Sequence, residues 1–102
     1  MLELANELAY VQEKVNQAFQ GLKTHSVNEV WEPVSSAIDK CGHISAPERQ
    51  WMQHLIYTRL DEMKCQAYGR VPINVAYIVH EQLPKLQNCC PPSGLERVIS
   101  VR

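Results

Sequence analysis

The sequence has almost no net charge. Its 10 Lys+Arg and 11 Asp+Glu residues leave a formal balance of −1. That excludes a global basic signature for nucleic acid and an acidic one for DNA mimicry. No apolar run approaches membrane-spanning length, so the expectation is a chain without a membrane partner. Glu3 and Glu7 stand where a secretory signal would carry its basic and apolar regions. The expectation is therefore a cytoplasmic protein. The four cysteines, Cys41, Cys65, Cys89 and Cys90, include an adjacent pair. Adjacency is a poor start for a disulfide framework, and reduced thiols fit a cytosolic chain. Phosphate loop, nucleophile elbow and metalloprotease motif are all missing, so no enzyme class is indicated. There is no internal repeat, and no segment alternates convincingly as a strand.

Helical periodicity is what the chain has in its place. The clearest stretch is Ser45 to Gly69. Ser45 and Glu48 have capping-box spacing, and Pro47 lies in the first turn, where its missing N–H costs nothing. Trp51, Met52, Leu55, Ile56, Leu60, Met63 and Ala67 then recur at helical spacing. Gln50, Gln53, His54, Thr58, Asp61, Glu62 and Gln66 fall on the other side. Gly69 suits the position after the last turn. The predicted helix covers residues 46–68 and is about 35 Å long at about 1.5 Å per residue.

Three more helices are predicted around it. Residues 2–23 carry Leu4, Leu8, Val11, Val15, Phe19 and Leu22 in a 4-3 seam. That seam fits either internal packing or a partner chain. Residues 27–41 follow a second capping box, Ser26 with Glu29, and are expected to kink or break at Pro33. Gly42 is expected to end that helix. Residues 74–86 form the last predicted helix, marked by Val75, Ile78, Val79 and Leu83. The expected fold class is all-α, a small bundle of about four helices. The expected division is a helical domain over 1–88 and a C-terminal extension or tail over 89–102, where Cys89-Cys90-Pro91-Pro92 and Gly94 read as irregular. A chain of 102 residues has a modest core, and dimerisation would bury more apolar surface.

Two functional readings follow. The first is a small non-enzymatic regulatory protein, an inhibitor or adaptor of a larger machine. It acts by protein–protein interaction and could itself be a homodimer. Its interface is expected at Leu4, Leu8, Val11 and Val15 of the first helix and at Tyr57 and Tyr77. These tyrosines lie at the edge of their apolar stripes, where a ring can be buried while its hydroxyl stays wet. The second is a helix-turn-helix DNA-binding transcriptional regulator using residues 60–83. Cys65, Gly69, Val75 and Ile78 have the general spacing of such a motif. Arg70 and Lys85 would approach phosphates, and Asn74, Tyr77 and Gln82 would lie on the polar face of the groove-entering helix. That helix carries no arginine, the commonest base reader.

Other chemistry is weak. Cys41 and His43 with Cys89 and Cys90 include ligand types suited to zinc, but their spacing does not match paired knuckles. His54 and Asp61 lie two turns apart and need a third group to form a relay. No catalytic residue, metal ligand, cofactor or small-molecule substrate is expected.

Overall fold

A computed structural model describes residues 3–65 and 73–86. The fold is all-α. Helix α1 spans Leu4–Gly21, α2 Val27–Asp39 and α3 Ala46–Cys65. A fourth helical segment, residues 75–86, changes register twice. It opens as an α turn, α4 (Val75–Tyr77), widens to a π-helix (Ile78–Gln82) and tightens to a 3-10 turn (Leu83–Leu86). The proposed division at residue 88 and the whole C-terminal extension lie outside the described residues.

Pro84 accounts for the change of register. In an α-helix its ring would press on the carbonyl four residues back, and it has no N–H to donate. The preceding turn is opened instead, and the Leu83 N–H reaches back five residues to the Ile78 carbonyl.

The 4-3 seam of α1 faces inward. Val11 and Val15 are fully buried, and Leu8, Ala18 and Leu22 join them. α1 packs on α2, α2 on α3, and the fourth segment lies against α1 and α3. Trp31 and Tyr57 meet edge to face in the core, with centroids 5.2 Å apart and planes at 84°. Gly21 allows a close approach between α1 and α2, since a Cβ there would lie 2.9 Å from Val30 Cγ1.

Three local expectations are corrected, and the choice left open at Pro33 is narrowed: α2 runs through Pro33 without a break. Pro33 and Glu29 are both exposed, so the Glu29 carbonyl that loses its helical donor faces water. Gly42 does not end α2 in a left-handed conformation; Lys40 caps it in the right-handed region. The Ser45–Glu48 box is half of the expected one. Glu48 N–H donates to Ser45 Oγ at 3.4 Å, but the carboxylate accepts from the Ser45 hydroxyl at 2.8 Å rather than from its backbone N–H. Only Ser26–Glu29 closes both bonds. Finally, α3 is not simply two-faced. Gln53, His54, Thr58 and Asp61 on its polar side are half-buried. α2 covers one side of the helix and the fourth segment lies along part of the other, while Gln50, Arg59, Glu62 and Lys64 stay exposed.

Candidate functional site

Four polar side chains, Gln12, Asn74, Glu7 and Arg49, fix the connections between the helices. Gln12 of α1 holds the start of the fourth segment. Its Nε2 donates to the Ile73 carbonyl and its Oε1 accepts from the Val75 N–H, both at 2.8 Å. The second Nε2 hydrogen goes to Asn16 Oδ1 at 3.0 Å. Asn74 completes the start, accepting from the Tyr77 N–H at 3.0 Å as an N-cap.

Glu7, also on α1, holds the α2–α3 connection. It is buried to 7% exposure, although it lies off the seam. Its carboxylate accepts from the Gly42 N–H at 2.9 Å and the His43 N–H at 3.2 Å, and faces His43 Nδ1 at 3.0 Å. Burial acts to raise its pKa. The bonds from His43 backbone and ring, and from Gly42, outweigh that and hold it below 4.5. Arg49 finishes the same turn by donating to the Cys41 and Ile44 carbonyls. Sequence reasoning missed Glu7, Gln12 and Arg49. The partners that tie them to other elements are mostly backbone atoms, and no side-chain spacing encodes that.

Between α3 and the fourth segment lies an open cleft of about 450 Å³. α3 supplies two i, i+4 rows: His54, Thr58 and Glu62, and beside them Leu55 and Arg59. The opposite wall is Ile73, Asn74, Tyr77, Ile78 and Gln82. Ile73 and Ile78 are buried, while Tyr77 is 52% exposed. His54 Nδ1 and Thr58 Oγ1 are buried without a hydrogen-bond partner. Burial pushes the His54 pKa down, so the imidazole is neutral at pH 7. Arg59 and Glu62 at the rim form no ion pair among the described residues. Elsewhere polar side chains at element boundaries are used: Lys64 donates to the Leu22 carbonyl and Gln53 to Asp39, at 2.9 and 2.8 Å. Asn74 apart, the cleft therefore collects polar groups that make no bond among the described residues. Thr58 stands between His54 and Asp61, but its hydroxyl makes no hydrogen bond, so no relay joins them.

The residues expected at a protein interface are dispersed. Leu8, Val11 and Val15 are internal core and Leu4 is half-buried against it. Tyr57 is 3% exposed, and its hydroxyl donates to Asn28 Oδ1 at 2.9 Å. The edge of the stripe is covered by α2, so Tyr57 is a core residue rather than a rim one. Tyr77 alone of that set is on the surface. Among the residues expected to meet DNA, Arg70 lies outside the described residues. Asn74 is occupied as an N-cap, Gln82 and Tyr77 line the cleft, and Lys85 is exposed. The described residues hold seven Lys/Arg and ten Asp/Glu.

Cys41 is buried and donates to the Ala37 carbonyl at 3.5 Å. Burial and the charge of Glu7 push its thiol up to about 11, against the opposing pull of Arg49. His43 turns to Glu7, and Cys89 and Cys90 lie outside the described residues. Among the described residues no cluster of His, Cys, Asp or Glu could hold a metal ion. No described helix is long and apolar enough to cross a membrane. Comparison with protein-family models, with curated proteins and with solved structures finds no match to this chain.

Proposed function

We propose that this chain is a small non-enzymatic regulatory protein that works by binding another protein, and that the cleft between α3 and the fourth segment is the face it binds with. The observation that carries this reading is the concentration of unpartnered polar side chains around an apolar floor, beside an exposed tyrosine. Buried polar groups in a folded chain are ordinarily paired, and exposed aromatics are enriched where proteins meet. The mixed lining suits a protein partner better than a nucleic acid. It offers one cation, one anion, a neutral imidazole, a hydroxyl and the Gln82 amide, where a phosphate backbone asks for clustered Lys and Arg.

The test is an affinity capture from source-cell lysate, with and without nuclease, using the wild type and Tyr77→Ala. The expected result is a protein retained after nuclease by the wild type and lost from the variant. Retention that depends on nucleic acid, or that is indifferent to Tyr77, contradicts the assignment.

A further inference from the structure

The cleft face has two properties that bear on the kind of partner it fits. It presents a cation and an anion that form no ion pair among the described residues, Arg59 and Glu62, three residues apart on one helix. It also presents a protruding ring and a recess side by side: Tyr77, 52% exposed, next to a cleft of about 450 Å³. A surface that carries both members of each complementary pair can match itself. In a two-fold contact, residue i meets residue j and j meets i, so both pairs are satisfied twice.

We infer that the cleft face pairs with the same face of a second copy of this chain, each Tyr77 entering the other's cleft while Arg59 of one copy meets Glu62 of the other. This rests on the reading of the cleft as a protein-binding face and names its partner. The apolar floor of Leu55, Ile73 and Ile78 takes the body of the ring. Docking removes from water the exposed part of Leu55 and the half-exposed Tyr77 ring, since Ile73 and Ile78 are already buried. The neutral His54 adds no charge to oppose the approach. The crossed charge pairs set the orientation: a parallel slide of one copy would bring Arg59 to Arg59 and Glu62 to Glu62, and like charges set face to face are unfavourable.

Sedimentation velocity of the full chain, from about micromolar to about millimolar concentration, tests the proposal. The wild type is expected to shift from monomer to dimer across that range. Arg59→Glu and Glu62→Arg are each expected to weaken the dimer about tenfold or more, and the double variant to restore it. Both side chains are exposed and make no bond among the described residues, so circular dichroism should be unchanged in all three. A monomer at every concentration overturns the inference. So does a dimer that tolerates both single reversals, or one that the double variant fails to rescue. If the chain stays monomeric yet captures a protein through Tyr77, the second copy is wrong and the protein-binding face stands.

Discussion

Replacing Gln12 tests how the cleft is held open. The side chain has both Nε2 hydrogens and Oε1 engaged. Two of the three bonds go to backbone atoms at the start of the fourth segment. Each net bond of this kind contributes about 0.5–1.5 kcal/mol, so Gln12→Ala should cost about 1–3 kcal/mol. Part-burial lets some water replace the amide, which puts the expectation near the middle, about 2 kcal/mol. For a chain of this length that lowers Tm by roughly 4–8 °C per kcal/mol. Gln12→Glu should be worse than Gln12→Ala. A carboxylate can still accept from the Val75 N–H, but it sets a second acceptor against the Ile73 carbonyl. Urea titration followed by circular dichroism gives the free energies, and hydrogen exchange at the Val75 amide gives the location. A loss below about 0.5 kcal/mol, or a Glu variant as stable as wild type, would refute the clamp.

Other consequences follow from the packing and the charges. Gly21→Ala would ordinarily gain about 1 kcal/mol in a helix. Here the new Cβ would meet Val30 Cγ1 at 2.9 Å, so overpacking of about 1–3 kcal/mol should leave the variant less stable. The same change in a Val30→Ala background should stabilise, which a double-mutant cycle by denaturation will show. The Glu7 carboxyl is held below its usual 4.5, so its contribution to stability is complete above that value and is lost as pH falls through the folded-state pKa. Glu7→Gln should therefore flatten the loss of stability on acidification below about pH 4.5, measured by urea midpoints across pH. Cys41, with its thiol at about 11, should resist alkylation at pH 8 in the native protein and react on unfolding, as read by peptide mass spectrometry.

The all-α class and the placing of four helical elements were legible in the sequence because apolar periodicity and caps are local signals. Ser26 with Glu29 begins α2 as its spacing predicts. The seam of α1 was legible too, but what covers it was not. Leu8, Val11 and Val15 would recur identically against a partner or against their own chain, and here they meet their own chain. Tyr57 shows the same limit. Its phase on α3 puts it at the edge of a stripe, and only the position of α2 buries it. The π register was out of reach for another reason. Pro84 announces a disturbance, but a kink, a stop and a widened turn all answer it. In the cleft, the row His54, Thr58, Glu62 is visible as i, i+4 spacing. On an exposed helix the same row would be a solvated face. It becomes a candidate site only because Gln12 fixes the fourth segment opposite it, and that bond joins residues 61 and 63 positions apart.

The most direct measurement compares the two exposed tyrosines among the described residues. Tyr10 and Tyr77 are 43% and 52% exposed, so they offer similar access to solvent, but only Tyr77 borders the cleft. A photoactivatable amino acid should be placed at each position in turn and irradiated in source cells. The account predicts a discrete protein adduct, a second copy of this chain or another protein, from position 77 and none from position 10. Equal labelling at both positions, or adducts from position 10 alone, would contradict it.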